Sequence, residues 1–183
     1  MAIAVEMYFD PTADRAIRQI WKDLVQAGIS QPMIVDNIVP HISLGVCDNL
    51  IHSEEFFREL KELSDATPVF PVTLSHAGFF TTEEGVAFCG VTLTPALMAL
   101  HQAFDCIFEV HVVKPWDFYR PARWVPHCTV ALGLTPQKAS LALDAIWHAP
   151  LPIQAKVEQI SVVQVSTVSY EQLVGLPLVN REM

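Results

Sequence analysis

The chain is predicted to adopt an α+β fold: two pseudo-symmetric lobes, each an antiparallel sheet with helices outside it, enclosing a central cleft. Three observations predict this. Apolar stretches of period two alternate with stretches of helical period along the whole chain. A segment near residues 37–49, "NIVPHISLGVCDN", returns near 123–135 as "RWVPHCTVALGLT", in step from Val-Pro-His onward. After each copy the predicted order is strand, helix, strand, strand. With 183 residues, 51% hydrophobic and 17% charged, and no Ser/Gly-rich linker, residues 1–183 read as a single bilobal domain with an internal repeat.

The elements follow in order. "IAVEMYFD" (3–10) is a first strand, and Asp10-Pro11 opens a helix bearing Ile17, Ile20, Trp21, Leu24 and Val25, closed by Gly28. Residues 37–46 form a strand. A helix at 53–64 follows, with Ser53 as its cap, Glu54 and Glu55 in its first turn, and Phe56, Phe57, Leu60 and Leu63 as its apolar stripe. "VFPVTLSHAGFF" and "GVAFCGVTL" flank "TTEEG" as a hairpin. Thr94-Pro95 starts a helix with Leu97, Leu100, Phe104 and Phe108; a loop at 113–124 leads to a strand at 125–133. Thr135-Pro136 opens a last helix with Ala139, Leu143, Ile146 and Trp147, and "IQAKVEQISVVQV" and "EQLVGLPLV" close the chain as strands.

Cys47, Cys89, Cys106 and Cys128 have no CxxC spacing and lie in apolar surroundings, so they read as buried, reduced thiols of a cytoplasmic protein. No run approaches the length of a membrane span, and no secretory signal opens the chain, so no membrane partner is expected. The net charge of −9 argues against long nucleic acid, whose binding draws most of its affinity from phosphate neutralisation. A phosphate-bearing ligand should be small, or touched at one end. The sequence is silent on oligomeric state.

The two repeated strands carry the chemistry. Strict alternation puts His41, Ser43 and Gly45 on one face and Ile42, Leu44 and Val46 on the other. It likewise puts His127, Thr129, Ala131 and Gly133 opposite Cys128, Val130 and Leu132. One face of each strand is aliphatic; the other holds an imidazole, a hydroxyl and small residues that leave room for a ligand. Facing each other, the pair offers one neutral and one protonated imidazole, a general base and a general acid without a metal or other cofactor. Ser43 and Thr129 can donate to oxygens that gain charge in the transition state. In-line displacement at phosphorus suits this set.

These paired His-x-Ser/Thr motifs, and "WVPHCTVALG" in particular, resemble the 2H phosphoesterase superfamily in its 2′-5′ RNA ligase (cyclic nucleotide phosphodiesterase) branch. The resemblance implies a bilobal fold and metal-independent opening of 2′,3′-cyclic phosphates to 2′-phosphates; the sequence leaves open whether 2′-5′ RNA ligation occurs in reverse. By position, His41 and Ser43 match the first motif, and His127 and Thr129 the second. His41 is assigned as the acid protonating the leaving 3′ oxygen, and His127 as the base activating water. The expected ligand is a small cyclic-phosphate nucleotide or a short RNA end. In the loop "VKPWDFYRPARW", basic residues interleave with aromatics; Arg120, Arg123, Tyr119 and Trp124 are its candidate substrate contacts, by phosphate pairing and base stacking.

Two other classes are weighed. A metal hydrolase would need ligand spacing such as HxH or HxxxH, which the sequence lacks. A non-catalytic nucleotide- or phosphate-binding module would bind the same ligands without turnover. His52, His76, His101, His111 and His148 lack the hydroxyl two residues on, so surface or capping roles are the default. His76 is the exception, since its strand end could border the cleft.

Overall fold

The computed structural model describes residues 1–29, 33, 38–166 and 169–180. Strand β1 (Ala2–Phe9) is buried along nearly its whole length because it has neighbours on both edges. Helix α1 (Pro11–Gln26) begins as expected: the Asp10 carboxylate accepts from the amides of Thr12 and Ala13, and Pro11 takes the first position, which needs no N–H. Strand β2 (His41–Leu50) begins at the histidine, with Ile38–Pro40 outside it; Asn37 lies outside the described residues. Helix α2 (Ser53–Ala66) corrects one expectation. His52, in a left-handed conformation at φ 58°, is the cap residue, and Ser53 is the first helical residue.

The hairpin of β3 (Phe70–Phe80) and β4 (Val86–Val91) is followed by helix α3 (Pro95–His111), whose Leu97 amide donates to the Thr94 hydroxyl. The 113–124 loop has structure of its own: β5 (Val112–Pro115) pairs with β2, and a 3₁₀ turn spans Asp117–Tyr119. Strand β6 (His127–Ala131), helix α4 (Pro136–Trp147), β7 (Ile153–Val165) and β8 (Tyr170–Pro177) complete the chain.

Among the described residues the strands form one sheet in the order β5-β2-β1-β7-β3-β4-β6, with β8 also on β7. Six of the strands show the duplication: β1-α1-β2-α2-β3 repeats as β4-α3-β6-α4-β7. The repeat therefore reaches upstream of the Val-Pro-His motif, to the strand and helix before it. Each repeat lends its last strand to the other, so the sets are β2-β1-β7 and β6-β4-β3. The sheets expected for two lobes are thereby joined into one, because β7 pairs with β1 along one edge while β3 and β8 share the other. The sheet curls until β2 and β6, far apart in strand order, come into contact.

The main core lies between this sheet and its helices, with Met7, Ile17, Leu24, Ile42, Leu44, Phe56, Leu60, Phe104 and Ile160 almost fully enclosed. Of the cysteines, Cys47, Cys89 and Cys128 are buried as expected, whereas Cys106 is exposed on α3. His101 and His111 are buried in the core and have no surface role. Among the described residues, no helix is long and apolar enough to cross a membrane.

Candidate active site

Both motif strands carry a β-bulge at the same place. Against β1, Ser43 pairs with Glu6 and Gly45 with Val5, leaving Leu44 over; against β4, Thr129 pairs with Phe88 and Ala131 with Ala87, leaving Val130 over. The extra residue reverses the alternation beyond it. His41 and Ser43, and likewise His127 and Thr129, keep the shared face that alternation predicts. Gly45 and Ala131 turn instead into the core, where a Cβ on Gly45 would stand 2.8 Å from the Phe104 ring. Val46 and Leu132 come round to the cleft: Val46 joins a small cluster with Ala4 and Val163, and Leu132 lines the cavity described below. Gly45 thus makes room for the Phe104 and Phe108 rings of α3, and Ala131 is fully enclosed, so neither leaves space for a ligand.

Each histidine is fixed by its own main chain. His41 Nδ1 lies 2.7 Å from the Val39 carbonyl and His127 Nδ1 lies 2.6 Å from that of Val125. The proline between, with its φ fixed, holds that carbonyl in place. A carbonyl only accepts, so Nδ1 carries the proton in both rings and Nε2 is the working atom. The two strands also abut directly: the His41 amide donates to the Cys128 thiol. Their outward carbonyls are capped in parallel, that of Thr129 by the Trp21 indole N–H at 3.2 Å and that of Ser43 by the Trp124 indole N–H at 2.9 Å. Edge carbonyls without a strand partner are satisfied in this way.

What stands beside each imidazole differs. Opposite Ser43, Glu6 is only 2% exposed, with Oε1 3.4 Å from His41 Nε2. The Tyr170 hydroxyl donates to its other oxygen at 2.5 Å, and the Tyr8 hydroxyl meets that of Tyr170 at 2.8 Å. Burial and the nearby carboxylate push both phenols well above the usual tyrosine range, so they remain donors. Opposite Thr129 stands Phe88, whose ring centroid is 5.1 Å from that of His127, with Phe80 edge-on at 4.9 Å. Burial among these rings pushes His127 below the ordinary imidazole range; the Val125 carbonyl opposes the shift and the nearby charge of His41 adds to it.

A cavity of about 600 Å³ opens from the second motif, lined by His127, Thr129 and Leu132, by Phe80, and by Trp116, Phe118, Tyr119 and Arg123 of the loop. Of the loop candidates, Tyr119 and Arg123 belong to it, and the Tyr119 phenol is hydrogen-bonded to the Ser43 hydroxyl. Arg120 and Trp124 do not. The Arg120 guanidinium is held by Asp105 at 3.1 Å and Glu109 at 2.9 Å on α3. Trp124 is buried, capping Ser43 and stacked on His101 with ring centroids 3.8 Å apart. Both fasten the loop to the scaffold. Trp116 and Phe118, 44% and 70% exposed at the cavity, are the aromatic faces the loop offers in their place. His76 leans over Gly90, the residue paired with His127, where any Cβ would meet its ring.

Glu6 had a signal in the sequence, as the one charged residue inside the apolar run "IAVEMYF". Glu83 and Glu84, from the hairpin turn, add negative charge at the cavity. Among the described residues no group of three or more His, Cys, Asp or Glu side chains is placed to hold a metal ion.

No curated protein matches the sequence. Among solved structures, TT0787 of Thermus thermophilus has the same fold, with a TM-score of 0.67 at 14% identity over 100% of both chains. LigT of E. coli complexed with 3′-AMP follows at 0.63 and 16% identity over 96% of each. Usb1 of Kluyveromyces marxianus with uridine monophosphate scores 0.51 at 16% identity over 97% of each. The family model of the 2′-5′ RNA ligase superfamily matches residues 9–168, a span that includes both histidine strands, and the chain belongs to this superfamily.

Proposed function

We propose that the protein is a metal-independent phosphodiesterase that opens 2′,3′-cyclic phosphates of nucleotides or short RNA ends to 2′-phosphates. Membership of the superfamily supports a phosphodiesterase- or ligase-type activity. One observation carries the finer reading: two imidazoles, each with Nδ1 tied to the carbonyl two residues upstream, present Nε2 within range of each other's charge.

His127, held neutral by its aromatic surroundings, takes a proton from water as that water attacks phosphorus. The bond from phosphorus to the 3′ oxygen breaks opposite the incoming water, and His41 Nε2 delivers its proton to the departing oxygen. Ser43 and Thr129 donate to the non-bridging oxygens, where charge builds. The phosphate so formed stays on the 2′ oxygen, and solvent returns His41 and His127 to their starting protonation.

The cavity beside His127 takes the body of the ligand, with the faces of Trp116 and Phe118 suited to a base. Glu83 and Glu84 at its wall disfavour a continuing phosphate chain. Relatives solved with 3′-AMP or uridine monophosphate point to ligands of similar size. The test is incubation with nucleoside 2′,3′-cyclic phosphates in EDTA, following product by phosphorus NMR. Accumulation of the 2′-phosphate is expected. Tight binding with no turnover would overturn the reading in favour of a binding module.

A further inference from the structure

The aromatic surroundings of His127 keep the base neutral, but they do not of themselves keep its partner, His41, protonated. We infer that Glu6 is a positioning residue that holds His41 as the imidazolium and so fixes the direction of proton transfer. Glu6 sits on β1, directly across from Ser43, and is only 2% exposed. A buried carboxylate must be paired, and its two oxygens have separate partners. One accepts the Tyr170 hydroxyl at 2.5 Å, and the other faces His41 Nε2 at 3.4 Å.

With Nδ1 committed to Val39, a neutral His41 would turn the Nε2 lone pair on a carboxylate oxygen, acceptor against acceptor. Only the imidazolium satisfies both. The contact is long for a charge-assisted hydrogen bond, so the Nε2 proton is oriented without being locked away from a departing oxygen. Further along, the Tyr8 hydroxyl supports that of Tyr170, and the Gln159 amide donates to Ser161, which pairs with Glu6 on β7.

The groups facing the pair are Tyr8 on β1, Tyr170 on β8, Ser161 and Gln159 on β7, Tyr119 beyond Ser43, and Cys128 and His127 on β6. The three phenols and the thiol are all shifted upward, so none of these groups brings a competing negative charge at neutral pH. The equivalent position in the other repeat is Phe88, which offers His127 no charge. One substitution within a duplicated frame therefore separates the two roles.

The inference rests on the proposed phosphodiesterase reading for its catalytic meaning, yet it can be tested apart from it. Glu6→Gln keeps the shape and an oxygen for Tyr170 while removing the charge. In the pH profile of kcat/KM for a 2′,3′-cyclic nucleotide, the alkaline limb is expected to move to lower pH by roughly 1 unit or more, with the acid limb in place. The ring signal of His41 in proton NMR, identified by its loss in His41→Ala, should titrate at lower pH in the variant without any substrate. If wild-type protein opens no cyclic phosphate, the proposed function fails and the NMR comparison still decides the role of Glu6. An unmoved His41 signal, or a fall in kcat with both limbs unchanged, would overturn the inference. Should Glu6→Gln not fold by circular dichroism, Glu6→Asp, which withdraws the carboxylate by one methylene, is expected to give a smaller shift in the same direction; no shift there would count equally against it.

Discussion

The half carrying His41 and the half carrying His127 share a frame down to its irregularities. Each has a bulge three residues after the histidine, a main-chain carbonyl on Nδ1 and an indole N–H on the carbonyl of its hydroxyl residue. They differ at the residue across from that hydroxyl, a buried carboxylate in one and a phenyl ring in the other. Duplication supplies two equivalent imidazoles; acid–base catalysis needs two inequivalent ones. A single side chain on a neighbouring strand makes that difference at little cost to the frame.

The most severe way to break the comparison is to remove either imidazole. His41→Ala and His127→Ala are each expected to lower kcat by ~10²–10⁴-fold with the fold intact by circular dichroism. The two should then part company on an aryl phosphodiester whose leaving group needs no proton. His41→Ala should recover much of its loss on that substrate and His127→Ala should not; equal recovery would dissolve the assigned roles. In wild type, the acid limb of the profile should fall below the ordinary imidazole range, because burial holds His127 neutral. The same depressed value means that the unfolded chain takes up this proton first on acidification. The contribution of His127 to stability is thus fully present above the ordinary imidazole pKa and declines as pH falls through it.

The bulges give a second test. Under strict alternation Gly45 would face the cleft and tolerate a methyl group. In the structure that methyl would meet Phe104 at 2.8 Å and Phe108 at 2.9 Å, both buried. Gly45→Ala is therefore expected to cost about 1–3 kcal/mol in urea unfolding. A neutral result would return Gly45 to the cleft face. The smallest effects belong to the loop. Arg123→Ala should raise KM a few-fold with kcat nearly unchanged, since Arg123 lines the cavity and its guanidinium is held by exposed contacts, Asp117 at 3.2 Å and the Phe118 ring at 5.9 Å. Arg120→Ala should leave KM alone and lower stability, through its contacts with Asp105 and Glu109.

These tests also mark how far the sequence could be read. The paired His-x-Ser/Thr pattern was legible because identity, spacing and repetition all pointed to one face of a strand. Val46 and Leu132 were misplaced because a bulge adds one residue, and nothing local in "HISLGV" or "HCTVAL" announces it. Arg120 and Trp124 were misread for a related reason. Composition says that a loop can stack and pair, while tertiary contacts decide with whom. Lys114, Arg120 and Arg123 each already have an acidic neighbour in Asp48, in Asp105 and Glu109, and in Asp117. Glu6 was visible as a charge in an apolar strand, but its meaning depended on β2 lying beside it.

The exchange of final strands between the repeats has a consequence for folding. Residues 1–80 alone would hold β1 and β2 without β7, and would carry β3 with no partner from their own half. Neither half can complete its three-stranded set without the last strand of the other. The same trade pairs β1 (Ala2–Phe9) with β7 (Ile153–Val165), so the cleft takes shape only once a contact of long sequence separation has formed.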